Sequence, residues 1–303
     1  MLIGLALIWG SSFLFIKVAV RELTPATLIV GRLGLAAITL AVLVPFVVGT
    51  GETARQLRAN WVWLVVVALV NTAIPFWLLS WGETRIDSGL ASIIQASVPI
   101  FNALIAFVAF REVRVTGMKL VGVAVGFVGV ALLVGAQPQG KVLGALAVVG
   151  MAFCYGLGGL LTGRYLKPAQ PVVVSFASTA IATLVWLPVG IAQAPAHMPG
   201  WKTIGSVLAL GIPGTALAYL LFFGLITGAG AAYASLVTYL IPPIALAYGA
   251  IFLGERFGAS AFGGLALILA GVALGTGSVG LRRLTRTSSP LRSARRSRAD
   301  STS

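Results

Sequence analysis

The stretch GLASIIQASVPIFNALIAFVAFREV, residues 89 to 113, lies over AAYASLVTYLIPPIALAYGAIFLGER, residues 231 to 256, at an offset of 143. Ala91 falls on Ala234, Ser92 on Ser235, Pro99 on Pro242 and Glu112 on Glu255. With a slip of one residue, GVAL at 129 to 132 aligns with GVAL at 271 to 274, and Gly122 with Gly264. Toward the start of each copy, Trp9 and Gly10 match Tyr155 and Gly156 at an offset of 146, as Pro25 matches Pro171. An internal duplication therefore accounts for nearly the whole chain.

Both copies are apolar throughout. Of 303 residues, 58% are hydrophobic and 9% charged, against about 25% charged in soluble domains, and the mean hydropathy is +1.01. A water-soluble globule is excluded. Apolar runs occupy residues 1 to 20, 26 to 48, 61 to 81, 88 to 110, 115 to 135, 142 to 161, 172 to 194, 204 to 226, 231 to 253 and 259 to 281. Each is long enough to cross about 30 Å of hydrocarbon as a helix. The first run has no Lys or Arg ahead of it and is read as a retained span, unlike a charged n-region with a short h-region. Connections run from residues 227–230 to 49–60 and leave no room for a soluble catalytic domain. One cysteine, Cys154, and one histidine, His197, supply neither a disulfide nor a His or Cys metal site, and no cofactor is implied.

Ten spans divide into two sets of five. Because five is odd, the second set enters the membrane from the opposite side, so the expectation is an all-α integral membrane protein of ten transmembrane helices in two five-helix inverted repeats. The units are residues 1–135, residues 142–281 and a tail, 282–303. Of the net charge of +14, the tail holds +6, from Arg282, Arg283, Arg286, Arg292, Arg295, Arg296 and Arg298 against Asp300, and the spans and their loops hold the other +8. A Ser/Arg-rich end without aromatic residues reads as a disordered segment touching anionic lipid headgroups, not as a nucleic-acid module. Placing both termini inside puts these arginines with Arg55, Arg58, Arg111, Arg114, Lys119, Arg164 and Lys167 in the cytoplasm. Lys17, Arg21, Arg85, Lys141, Lys202 and Arg256 fall on the other side.

The WGSSFLFIKVA start, the Pro25 to Arg32 stretch, the Pro and Glu spacing of both fourth-position spans and the glycine-rich spans ending in GVAL resemble the EamA-type branch of the drug/metabolite transporter superfamily. The resemblance covers residues 1 to 281. It implies a ten-helix fold around a central cavity and alternating access, with export of amino acids or related metabolites across a bacterial inner membrane.

Pro99 and Pro242 each sit at the centre of a span. Each lacks an amide hydrogen and frees the carbonyl four residues earlier, on Gln95 and Thr238, and Pro243 likewise frees that of Tyr239. Lipid cannot satisfy these acceptors, so neighbouring helices, water or a ligand must. Ser92, Gln95, Pro99 and Asn102 form one polar stripe, repeated by Ser235, Thr238 and Pro242. Two readings stand: a kink filled by interhelical hydrogen bonds, or a substrate site lined by Gln95, Asn102, Thr238 and Tyr239, with Asn71 and Trp77 nearby. Arg32 lies well inside a span, where charge is costly. It either attracts a substrate carboxylate or pairs with carbonyls or headgroups near the outer face. Lys17 and Arg21 read as interfacial anchors, and Glu112 and Glu255 as caps on the helices that follow them. Trp9, Phe76, Trp81, Tyr155 and Tyr219 join Trp77 and Tyr239 as aromatic candidates for a cavity wall.

No Asp or Glu falls inside any of the ten runs, which removes the acid a membrane-embedded enzyme would need. No GxxxxGK[ST] loop is present to drive a pump. A secondary transporter of a small neutral, zwitterionic or anionic metabolite is the leading expectation, and a non-transporting scaffold or lipid-handling protein is the alternative. The inverted arrangement is tested by cysteines placed at positions 114 and 256 in intact vesicles. Labelling from opposite faces is expected, and labelling of both from one face contradicts it.

Overall fold

The computed structural model describes residues 1–110 and 117–275. Arg111, Glu112, Arg114 and the tail 282–303 lie outside the described residues. Within them the chain is all-helical, without a strand. The order is α1 (Leu2–Ala19), α2 (Pro25–Val47), α3 (Thr50–Ala68), the π-helical segment π1 (Leu69–Ala73), α4 (Ile74–Glu83), α5 (Ser88–Gln95), α6 (Val98–Ile105) and π2 (Ala106–Phe110). Then follow α7 (Met118–Gly135), α8 (Gln139–Tyr165), α9 (Pro171–Ala192), α10 (Trp201–Gly211), π3 (Ile212–Leu217), α11 (Ala218–Ala229), α12 (Ala231–Ala234), α13 (Val237–Leu253) and α14 (Ala259–Gly275). Among the described residues seven helical stretches are long and apolar enough to cross a membrane, and three shorter apolar helices accompany them.

Local chemistry sets the ends. Pro25 opens α2 behind Thr24, whose hydroxyl accepts from the Thr27 amide at 3.3 Å, a proline-plus-N-cap start. Gly49, at φ 89°, separates α2 from α3. Residues 49–60, expected as a loop, are helical from Thr50 onward. Thr53 donates to the Gly49 carbonyl at 2.7 Å and Glu52 pairs with Arg55 at 2.6 Å, so a polar turn continues directly into the apolar helix. The fourth-position run is broken at Ala96 and Ser97, leaving Pro99 in the first turn of α6, where its missing N–H has no intrahelical role. Ser97 donates its hydroxyl to the Ile94 carbonyl at 2.6 Å across that break. The ninth run breaks at Ser235 and Leu236, whereas Pro242 and Pro243 lie inside the continuous helix α13. The two matched prolines thus sit in different backbone settings.

Packing brings sequence-distant helices together. α2 lies along α9, α7 along α14 and α1 along α13, while α4 and α6 lie against α8. Small residues set the closest approaches, as is usual where apolar helices gain nothing from leaving lipid. A Cβ on Gly271 would fall 2.5 Å from the Gly126 nitrogen of the facing helix. One on Gly10 would meet the Ile244 methyl at 2.5 Å, and one on Gly156 the Asn102 nitrogen at 2.8 Å.

One end of the bundle gathers the residues that follow α1. Lys17 donates to the carbonyls of Glu83 at 2.7 Å and Ile86 at 2.6 Å. Glu22 accepts from the Gly200 amide at 2.7 Å, and Glu255 accepts from the amides of Ser88 at 2.7 Å and Gly89 at 3.1 Å. This end is called the Lys17 face and the other the Met1 face. Lys17 is therefore no lipid anchor: its ammonium caps the C-terminal carbonyls of α4, where a cation is favourable. Glu255 caps α5 and not the helix that follows it. Gly254, left-handed at φ 66°, lets the Glu255 amide bond back to the Gly249 carbonyl at 3.0 Å and turns the carboxylate toward Ser88.

Backbone contacts at the glycines leave little room to relax. Gly271→Val and Gly156→Val are each expected to destabilise the protein by about 1 to 3 kcal/mol or more, the range for overpacking. Gly205→Ala, with nothing within 4 Å of its Cβ, is expected to be neutral. Thermal melting in detergent checks all three.

Candidate functional site

A cavity of about 250 Å³ opens between α1, α2, π1, α4, α5, α6, α8, π3, α11 and α13. It lies below the 300 to 1,000 Å³ typical of drug-sized sites and suits a metabolite of amino-acid scale. Four of the residues singled out from sequence meet in its wall: Arg32, Asn71, Gln95 and Thr238. Of the aromatic candidates, Trp9, Phe76, Tyr155 and Tyr219 line it. Trp77 instead stacks on Trp186 at 5.6 Å and on Trp81 at 5.9 Å. Asn102 donates to the Gly156 carbonyl at 3.2 Å. Tyr239 packs against the main apolar core, and Pro99 and Pro242 are not among the lining residues.

Two lining elements are π-helical. π1 and π3 start 143 residues apart, in the third and eighth apolar runs, and each widens the helix by one residue where it borders the cavity. A π turn shifts the hydrogen-bond register and presents side chains at angles an α-helix does not offer. The carbonyls it displaces are caught locally. Trp186 donates its indole N–H to the Ala73 carbonyl at 2.9 Å. Thr215 donates its hydroxyl to the Leu210 carbonyl at 2.8 Å. Thr215 and Ser12 are wall residues that the sequence argument passed over. The available signal was a proline inside each run, Pro75 and Pro213, beside a threonine.

Arg32 dominates the electrostatics. Its side chain is 7% exposed and its Nε donates to the Thr215 hydroxyl at 3.1 Å. That is its one hydrogen bond among the described residues. The guanidinium lies over the Phe76 ring, 4.5 Å from its centroid, a cation–π contact that favours the charged form without neutralising it. No acidic side chain lines the cavity. The arginine therefore faces protein and cavity, not headgroups. Around it, the amides of Asn71 and Gln95 and the hydroxyls of Thr238, Tyr155 and Tyr219 make no hydrogen bond among the described residues. The wall thus presents one cation and several unspent donors and acceptors to whatever enters.

One acid does sit inside the bundle. The third run was bounded at residue 81, but α4 continues two residues farther and ends on Glu83, which is 0% exposed. Lys17, bonded to the carbonyls at this helix end, holds the last turn within the packed bundle. Glu83 follows Phe76 and Leu79 along one face of α4 toward the Lys17 face and is not part of the cavity wall.

The EamA-like transporter family model matches residues 1–135 and 142–276. An uncharacterized transporter of Archaeoglobus fulgidus is 27% identical over 87% of this chain and 93% of its own. A probable terminal-alkyne amino-acid exporter of Streptantibioticus cattleyicolor is 27% identical over 88% of this chain and 89% of its own. A probable amino-acid metabolite efflux pump of Salmonella typhimurium is 24% identical over 93% and 95%. A crystal structure at 19% identity superposes with a TM-score of 0.64 over 93% of this chain and 96% of the other, which shows a shared fold. From its apolar helices, its cavity and the span of the family match, the chain belongs to the EamA-like transporter family.

Proposed function

We propose that the protein exports a small carboxylate-bearing metabolite, an amino acid or a close relative, by alternating access, and that Arg32 holds the carboxylate. The observation that carries this reading is the buried guanidinium of Arg32 in the cavity wall, with a single hydrogen bond to Thr215 and no acid beside it in that wall. An unpaired buried cation is costly. A substrate carboxylate entering the cavity supplies the missing acceptors, and charge-assisted bonds of this kind are worth about 1.5 to 3 kcal/mol. Gln95, Thr238, Asn71 and the phenols of Tyr155 and Tyr219 are placed to bond an ammonium or hydroxyl on the same solute. The relatives named as amino-acid exporters support the substrate class.

Ten spans in two inverted halves, 1–135 and 142–281, remain the proposed architecture. Wall residues fall in pairs at the offsets of the duplication: Trp9 with Tyr155 at 146, and Phe76 with Tyr219, Gln95 with Thr238 and Val98 with Ile241 at 143. Arg32 breaks the pattern, since Ser178 stands at its matching position. Counted from the sequence with the seven tail arginines included, the Lys and Arg balance favours cytoplasmic termini in a bacterial inner membrane, with the Lys17 face external.

In proteoliposomes, Arg32→Gln is expected to lower uptake of zwitterionic or anionic amino-acid-like solutes at least about tenfold, the loss of one charged hydrogen bond, with little change in melting temperature. Undiminished transport by this variant moves the site elsewhere. Thr215→Val, which removes the bond that aims the guanidinium, is expected to raise KM more than it lowers the maximal rate.

Gln95→Ala and Thr238→Val are expected to weaken transport by smaller factors, and quaternary ammonium dyes are not expected to be carried. Saturable dye transport by the purified protein contradicts the charge preference.

A further inference from the structure

Glu83 is the one buried carboxyl among the described residues whose two oxygens both lack a hydrogen-bond partner. Its residue exposure is 0%. It occupies the last position of α4, where the helix dipole is unfavourable to a negative charge. No hydrogen bond from the charged groups that face it reaches its oxygens, although the Lys17 ammonium keeps one hydrogen unspent and its charge nearby. From α1, the Lys17 ammonium spends two hydrogens on the backbone carbonyls of Glu83 and Ile86. From the turn after α13, the Glu255 carboxylate takes the amides of Ser88 and Gly89 and the Ser88 hydroxyl at 3.0 Å. From α2, Arg32 bonds Thr215. From α8, Gly144 and Val148 pack against Gly82. Arg85 turns away, its guanidinium 3.5 Å from the Trp81 ring centroid.

An ionised carboxylate without donors inside a closed helical bundle costs several kcal/mol, and the neutral acid avoids most of that cost. The same side chain carries no penalty once the Lys17 face opens and water reaches it. We propose that Glu83 is a proton-binding site: closure of the Lys17 face takes up one proton on its carboxyl, and opening releases that proton to water on that face. The balance is that of a simple acid, one O–H bond broken at Glu83 and one formed on water. The proton also keeps a second carboxylate out of the field of Arg32, so a substrate anion meets an uncompensated guanidinium. This inference rests on the transporter reading but not on Arg32 as the substrate ligand, and its test needs no substrate.

Infrared difference spectra of the full-length protein in liposomes at neutral pH are expected to show a protonated-carboxyl stretching band that Glu83→Gln lacks and Glu83→Asp shifts. A cysteine replacing Leu79 in a Cys154→Ser background reports opening of the Lys17 face to an impermeant maleimide. Its labelling, corrected for thiol reactivity by the same cysteine in Glu83→Gln, is expected to rise as pH is raised, with a limiting slope of about tenfold per pH unit for one proton. Absence of the band at neutral pH, a band unchanged in both variants, or identical pH profiles with and without Glu83 each overturn the proposal. Should Glu83→Gln fail to fold, the band in the parent protein and its shift in Glu83→Asp decide.

Discussion

Inside hydrocarbon a backbone amide or carbonyl has no water to fall back on, so every one must be satisfied within the protein. That constraint makes the described apolar stretches helical, and it makes each departure from helix within them costly unless a side chain intervenes. Three of the departures are attended by a side chain. Ser97 serves the Ile94 carbonyl at the break before α6, Trp186 serves Ala73 at the end of π1, and Thr215 serves Leu210 in π3. Two of these sites border the cavity directly. Part of the cavity wall is thus made where helices are interrupted, and one of the groups that mend the interruptions, Thr215, also aims the Arg32 guanidinium.

Apolar runs coincide with the seven helical stretches long enough to cross a membrane among the described residues, because hydrocarbon thickness imposes a length on any helix that crosses it. They marked ends poorly. A polar turn such as Thr50 to Asn60 is helical because Glu52, Arg55 and Gln56 pair along it, a local effect that hydropathy does not register. Glu83 was missed for a related reason: helix α4 outlasts its apolar run once Lys17 caps it. The π segments leave almost no mark, since one extra residue per turn in a uniformly apolar helix changes neither composition nor period, and only Pro75 and Pro213 hinted at them.

The cavity was more legible than its backbone. Arg32, Asn71, Gln95 and Thr238 stood out as polar residues in apolar company, and all four face the same space. Asn102 stood out by the same logic, yet its amide is consumed by the Gly156 carbonyl where a glycine lets α8 approach α6. A polar residue in a span must find a partner, and sequence alone does not say whether that partner is protein or solute. Thr215 shows the converse. Its hydroxyl is ordinary in sequence and decisive in place, because it both closes a displaced carbonyl and receives Arg32.

The bond between Glu255 and the amides of Ser88 and Gly89 joins residues 167 and 166 positions apart. It bears on the order in which the protein is made. When the first five apolar runs have left the ribosome, the first amides of α5 are still without their cap, and α1, α2 and α7 still lack α13, α9 and α14, the helices they pack along. The amino-terminal half therefore waits in the bilayer with open faces until the seventh, ninth and tenth runs arrive. The first copy of the duplicated sequence therefore does not finish packing before the second is made, although the duplication suggests two units able to fold in turn.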